Sequence, residues 1–398
     1  MAVDFPSSPT VGQTFTSGGA TWIWDGVKWT ATGAATGLYL PLTGGTLTGD
    51  LILARDPVVP LGAATKQQID AITAQGAFSH DNRIINGDMR IDQRNNGANG
   101  TANGYTIDRW WFFNTTAPTG RGTWGRAVAG PPLVALGFGY GLSFTSSSAY
   151  TPLAADNCGF FQMIEADMVS DFAWGTPGAQ PVTLSFWVQS TLTGTFSGAI
   201  RNVPATRAYL FTFNIPSANT WTKIVVTVPG DTAGTWVMSG NAAGVQLIFD
   251  LGSGANFRGP ANAWAATNYT GATGSVSVVA TNGASFSFTG VKLEIGSIAT
   301  PYNRQSMARR LADCQRYYQT SAVSRGCYGP VIGISDVNRF PFPVQMRAAP
   351  TLTPTWSTQT IATGTVGAVS AAIYSFAVTT NAVGNYVAVG TFTADAEL

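Results

Sequence analysis

The sequence predicts a mainly β chain of several domains, and three observations predict it. Runs that alternate apolar and polar residues recur between about residues 182 and 295, with turn-forming residues between them. Composition points the same way. Gly stands at 46 of 398 positions and aromatics at 12%, while Asp, Glu, Lys and Arg make up only 10%, against about 25% in an average soluble domain. Such a mixture favours short strands and tight turns over long solvated helices. Thirdly, helical periodicity is confined to one convincing stretch near residue 310 and a short one near residue 70. The length suffices for two or three domains with full cores. A formal net charge of +1 gives no long-range field to draw in nucleic acid or an anionic membrane, so neither is expected as a partner. No apolar run is long enough to span a bilayer, and the first residues lack the basic and apolar regions of a signal peptide.

Residues 1–37 read as a small β-unit. Phe15, Trp22, Trp24 and Trp29 are its apolar anchors, and Asp25-Gly26 is a hairpin turn between Thr21–Trp24 and Val27–Thr30. Residues 38–79 read as a stalk. Short apolar runs (Leu38, Leu40, Leu42, Leu47, Leu51, Leu53) are separated by Gly44-Gly45 and Gly49, and a lone chain this slender cannot bury those leucines. Pro57, Pro60 and Gly62 then break the chain before a helical stretch from Ala63 to Gln75. Leu61, Thr65, Ile69 and Ile72 form a narrow seam on it, suited to packing helices around an axis. The seam alone does not separate two helices from three, and such a helix is too short to stand alone in water.

From residue 80 to 302 the alternating runs predict a two-sheet sandwich. Val182, Leu184, Phe186 and Val188 share one face of a strand; so do Ile224, Val226 and Val228, and again Val245, Leu247, Phe249 and Leu251. Phe286 and Phe288 alternate, then Val291, Leu293 and Ile295 resume one step out of phase across Gly290. A β-bulge at that glycine explains the slip. Residues 303–320 form the linker helix, with Met307, Leu311, Cys314 and Tyr318 as its apolar stripe and Asn303 as cap. Residues 321–398 suggest a last β-domain, marked by Phe340-Pro-Phe-Pro-Val, Ile373–Val378 and Tyr386–Asp395.

Several of these segments resemble one known family. The run LPLTGGTLTG at 40–49 with AATKQQID at 63–70 is similar to a module of bacteriophage tail-fibre proteins. The run Asn82-Arg-Ile-Ile-Asn-Gly-Asp-Met-Arg-Ile-Asp-Gln-Arg94, followed by Tyr105-Thr-Ile-Asp-Arg-Trp-Trp-Phe112, resembles the opening of a jelly-roll module in phage tail proteins, a match that covers about residues 80–320. The phrase LADCQRYYQ at 311–319 and the ending Thr393–Leu398 look like the linker and terminus of that family. The resemblance implies an elongated homotrimer held by the stalk, with Leu61, Ile69 and Ile72 on the threefold seam. It implies a virion protein, made in the host cytoplasm, whose N-terminal β-unit either anchors it to other virion proteins or merely caps the chain. The implied function is attachment, by holding out a surface that recognises a glycan or protein of the bacterial envelope, on a chain that ends in a C-terminal β-tip. A purely architectural fibre (collar, head or baseplate appendage) and a polysaccharide depolymerase are the alternatives. The phrase Gly290–Tyr302 is similar to the closing strand of carbohydrate-binding jelly rolls, which speaks for a fold and not for sugar binding.

Catalysis finds little support in the residues. His80 is the only histidine and sits in the stalk junction, so no His-dependent triad or typical zinc site is expected. The glutamates are Glu165, Glu294 and Glu397, and Asp156, Asp167, Asp171 and Asp250 could complete a glycosidase pair only if the fold brought two together. No enzyme, cofactor or metal is therefore assigned; a structural calcium near Asp88 or Asp92 is compatible with the sandwich class but is not assigned. Gly137–Gly141 lacks the Lys-Ser/Thr of a phosphate loop and reads as a turn into a strand. Cys158, Cys314 and Cys327 are expected as free thiols, with a Cys314–Cys327 pair as the alternative. A sugar site needs an exposed aromatic face beside hydrogen-bonding side chains. Trp110 and Trp111 read as mainly structural. Trp174, Trp264, Tyr269 and Tyr328, all in expected loops, are the ligand-binding candidates, each weighed against packing within its own loop or against a neighbouring subunit.

Overall fold

The computed structural model describes residues 4–17, 20–32, 82–115, 121–128 and 130–398. The stalk with Leu61, Ile69 and Ile72, and also His80, lies outside these residues. The chain is mainly β and divides into two compact units, Met1–Ile69 and Asp70–Leu398.

In the first unit, β1 (Thr14–Ser17), β2 (Ala20–Trp24) and β3 (Trp29–Ala31) form an antiparallel meander. Phe5 and Phe15 pack with Trp22 and Trp29 into one aromatic cluster. The hairpin is looser than the sequence predicts. Trp24 pairs with Trp29, so the connection holds four residues and Val27 is exposed. The Asp25 carboxylate accepts from the Val27 and Lys28 amides at 2.8 and 2.9 Å, making a self-capped loop in which Gly26 supplies the positive φ of 102°.

The second unit begins with a sandwich. Its strands are β4 (Gly104–Ile107), β5 (Trp110–Asn114), β6 (Gly122–Val128), β7 (Tyr140–Ser146), β8 (Cys158–Glu165), β9 (Val182–Ser190), β10 (Gly194–Asn202), β11 (Ala208–Ile215), β12 (Thr222–Val228), β13 (Ala243–Asp250), β14 (Arg258–Gly259), β15 (Trp264–Ala265), β16 (Gly271–Ala272) and β17 (Ser285–Ile295). One sheet has the order β15-β11-β10-β13-β8-β5-β4, the other β12-β9-β17-β7-β6. The apolar sets read from the sequence face each other between them: Val182, Leu184, Phe186 and Val188 meet Val245, Leu247 and Phe249 in a core that also holds Trp110 and Phe288. The bulge falls where the parity slips. The β9–β17 register shifts between Thr289 and Lys292, and Gly290 has φ +62°, a conformation that costs glycine little.

The outer faces of the two sheets differ. A strap from residue 254 to 275, with β14 and β16 paired on it, lies over the larger sheet. Asp250, buried in β13, holds the strap region: its Oδ1 accepts from Ser253 at 2.7 Å and its Oδ2 from Ser197 at 3.3 Å, while Ser197 bonds Ser275 at 2.9 Å. Among the described residues, a short helix α1 (Pro131–Ala135) lies on the smaller sheet, and its Leu133 packs with Phe138 against Trp187, Trp221 and Tyr302. Gly137 ends that helix with φ +80°, and Phe138 then leads into β7.

The linker helix is α2 (Met307–Gln315), capped by Ser306, whose side chain accepts from the Arg309 amide at 3.3 Å. It is shorter than 303–320, and of the expected stripe Cys314 and Tyr318 are buried but Met307 and Leu311 are not. Arg310, Cys314 and the following Tyr317 are buried, whereas Met307 is 53% exposed. Arg310 goes inward because Asp88 waits there as its ion-pair partner. Tyr318 already belongs to a strand.

Beyond it, β18 (Tyr318–Gly329), β19 (Ser335–Pro341), β20 (Thr351–Thr360), β21 (Ala362–Ala368), β22 (Ile373–Thr380) and β23 (Gly384–Asp395) build two three-stranded sheets, β18-β23-β20 and β19-β22-β21. Tyr374, Phe376, Val378, Ala388 and Phe392 lie between them. This β-region packs on the sandwich through the end where Tyr318 pairs with Asp395. There Arg94 bonds Asp395 at 2.9 Å and Glu397 at 3.1 Å. The buried Arg109 also pairs with Glu397 and lies over the Tyr317 ring at 3.6 Å.

Candidate functional site

The residues singled out as ligand candidates do not form one site. Trp174 is corrected by the structure: it is 2% exposed and belongs to the core. The chain turns back after the left-handed Ala173, the Trp174 indole donates to the Gln180 carbonyl at 2.8 Å, and its ring sits 4.7 Å from that of Trp236 and 5.2 Å from that of Trp264. Trp264 completes this group of three tryptophans and donates to the Pro229 carbonyl at 3.0 Å. Tyr269 lies half-buried in the strap against the outer face of the larger sheet. Tyr328 alone is open, 59% exposed, at the far end of β18. Among the carboxylates, Asp156 accepts from the Tyr150 hydroxyl, Asp167 caps the Gly240 amide, Asp171 pairs with Arg83, and Glu294 pairs with Lys292 at 2.8 Å. Asp88 is engaged by Arg310, and Asp92 accepts from the Asn95 and Gly97 amides at 2.9 and 2.6 Å. Cys158 and Cys314 are buried and Cys327 exposed, all unpaired; burial pushes the Cys158 and Cys314 thiols well above their usual range.

A groove runs instead across the outer face of the smaller sheet. Gln189 on β9 is opposite Ser287 on β17, Ser287 opposite Ser143 on β7, and Ser143 opposite Gly125 on β6. The two serine hydroxyls are hydrogen-bonded at 2.7 Å, so these side chains share one face and make a continuous polar floor. Four adjacent strands span roughly 14 Å at about 4.8 Å per step. At one end of this floor, Trp221 and Asn219, just before β12, form a cavity of about 270 Å³ with Gly130 and Pro132 of the α1 region. At the other end Asn99, Thr123, Arg126 and Thr145 line a cavity of about 390 Å³. Ala127 and Ser143 belong to both. Gly141 lies under the indole: a Cβ there would be in ordinary contact with the Trp221 ring, at 3.5 Å.

Parity makes this face. With Val182, Leu184, Phe186 and Val188 turned inward, Trp187 and Gln189 must point out. Trp187 is then sheltered by Phe138, while Trp221, likewise half-buried, keeps part of its ring toward the groove. Trp221, standing just before the alternating Ile224, Val226 and Val228, was the one signal in the sequence. The remaining groove residues come from segments up to about 190 positions apart, and spacing cannot join them.

Chemically the groove offers the half-buried Trp221 indole, with Trp124 buried in the wall of the other end, hydroxyls and amides that both donate and accept, and the Arg126 guanidinium. Neutral polyhydroxylated ligands match such a set, since each sugar hydroxyl also donates and accepts and a pyranose has a flat apolar face for an indole.

No family model matches this sequence, and no curated protein matches it. Among solved structures, the enzymatically active domain of tailspike protein 4 of bacteriophage CBA120 is similar at 16% identity over 55% of this chain and 22% of its own, with a TM-score of 0.29. The family 11 carbohydrate-binding module of a Clostridium thermocellum cellulosomal cellulase is 11% identical over 50% of this chain and 96% of its own, with a TM-score of 0.24. The N-terminal cellulose-binding domain of a Cellulomonas fimi β-1,4-glucanase is 10% identical over 51% of this chain and 97% of its own, with a TM-score of 0.23. All three scores lie below 0.5, and none of these likenesses bears on what the groove holds.

Proposed function

We propose that this chain is a bacteriophage tail-fibre protein that attaches the virion to its host by binding an envelope glycan in the groove on the β12-β9-β17-β7-β6 sheet. The observation that carries the glycan reading is the pairing of the Trp221 indole with the Gln189–Ser287–Ser143 floor. The larger sheet is the poorer place for a ligand, because the strap occupies its outer face. Attachment rather than cleavage is proposed because the groove is lined by hydroxyls, amides and Arg126, whereas glycoside hydrolysis needs two carboxylates flanking the bond. The phage and trimer parts of the reading rest on the sequence: the stalk leucines and the Leu61, Ile69 and Ile72 seam call for identical neighbours, and the N-terminal β-unit would face other virion proteins. Three weak sites on one trimer would gain avidity through effective concentration.

The test is a glycan array probed with the full chain, followed by adsorption to bacteria bearing the best glycan. The expected result is binding to cells that the free glycan competes away, with the polysaccharide left at its original length. Binding that the glycan fails to compete, or shortening of the polymer, would refute the reading.

A further inference from the structure

A third cavity, of about 340 Å³, lies between α2 and the segment that opens the sandwich, and that size suits one small ligand unit. Ile84, Met168 and Tyr317 supply apolar wall. The charges around it are unevenly placed. The carboxylates of Asp88 and Glu165 are sunk, each 3% exposed, while the side chains of Arg309 and Arg316 are 56% and 42% exposed. The third carboxylate, Asp313, is 28% exposed and paired with Arg309 at 3.1 Å, so the most exposed charged groups of the lining are the two guanidiniums. Asp88, Glu165 and Asp313 line the cavity with Arg309, Arg310 and Arg316, and the charges pair one to one: Arg309 with Asp313, Arg310 with Asp88 and Arg316 with Glu165. A guanidinium carries five N–H donors, so the half-exposed Arg309 and Arg316 have donors beyond those their ion pairs use.

We propose that this cavity is a second binding site, which takes a carboxylated sugar unit such as a uronate. The ligand carboxylate meets the half-exposed forks of Arg309 and Arg316, whose planar geometry matches two oxygens at once. The ring lies against Ile84 and Met168. The sugar part rests on the glycan reading of the groove; the carboxylate part rests on the arginines alone. An attachment protein with both sites would select an acidic polysaccharide over a neutral one.

The experiment is calorimetric titration of the full chain with D-glucuronate, D-glucose and inorganic phosphate, repeated on Arg309→Gln, Arg309→Lys and Trp221→Ala. Arg309 is exposed and its ion pair is with Asp313 on its own helix, so its substitution is expected to leave the melting temperature within the scatter of repeats. Glucuronate should bind the unaltered chain at least tenfold more tightly than glucose or phosphate. Arg309→Gln should weaken it tenfold or more, Arg309→Lys by less, and Trp221→Ala not at all. Equal binding of phosphate shows an unselective anion patch and overturns the proposal. Indifference to Arg309→Gln, or absence of glucuronate binding, overturns it too. Loss of glucuronate binding in Trp221→Ala alone would move the acid to the groove, leaving the groove reading intact and this one refuted.

Discussion

Glu397→Gln probes how the C-terminal sheets are fastened to the sandwich. Glu397 is 5% exposed at its side chain and stands between Arg109, 1% exposed, and Arg94, 13% exposed. Arg109 has few other supports: a hydrogen bond to the Met163 carbonyl and the Tyr317 ring. Removing the carboxylate charge leaves a guanidinium deep in the protein without its counter-ion, and breaking a buried pair by one partner costs about 3–5 kcal/mol. Unfolding entropy of about 2.1 cal/mol/K per residue over roughly 300 residues converts this to a fall of about 5–8 °C in melting temperature. Replacing both partners, as in Arg109→Met with Glu397→Met, should cost much less, because well-packed apolar side chains tolerate such sites. Calorimetry of the variants reads the first quantity, and limited proteolysis near residues 315–320 reads the loosening directly. A fall under about 2 °C for Glu397→Gln, with unchanged proteolysis, would refute the claim that this ion pair clasps the two regions.

Three further outcomes follow from the same structure. Burial pushes the Asp108 carboxyl up from 3.8 to about 6, although the Gln93 hydrogen bonds and Arg94 oppose the shift. Its folded-state value is raised, so its contribution is present below about pH 4 and is lost as pH rises through 6; chemical denaturation of Asp108→Asn across pH 4–7 should show a shallower decline than the unaltered chain. Gly290→Val should cost more than about 2 kcal/mol in urea unfolding, since φ is +62° and an added Cβ would sit 2.7 Å from the Phe138 ring; a neutral result would contradict the bulge. A thiol reagent should modify one cysteine in the native chain, Cys327, and all three after denaturation, because Cys158 and Cys314 are buried; rapid native modification of a second would contradict that packing.

Strand parity was legible because burial on one face writes itself into every second residue. The core sets on β9, β13 and β17, and even the one-residue slip at Gly290, could be read directly. The helix was legible in place but only in part in orientation. An ion pair with Asp88, more than 200 positions away, turns Arg310 inward, and no local rule foresees that. Trp174 failed as a candidate for a similar reason: turn residues around it suggested a surface loop, yet Trp236 and Trp264 arrive from distant segments to bury it. The groove is a product of sheet order. β7, β9 and β17 become neighbours only through crossovers, so Ser143, Gln189 and Ser287 acquire a common face that sequence spacing hides.

The central claim is that the Trp221 groove holds the glycan, and the direct test is the affinity of the full chain and of Trp221→Ala for the glycan identified on the array, at matched melting temperature. Losing a stacked indole should remove roughly 1–2 kcal/mol, or about five- to thirtyfold in affinity. An unchanged affinity in a folded Trp221→Ala chain would contradict the account.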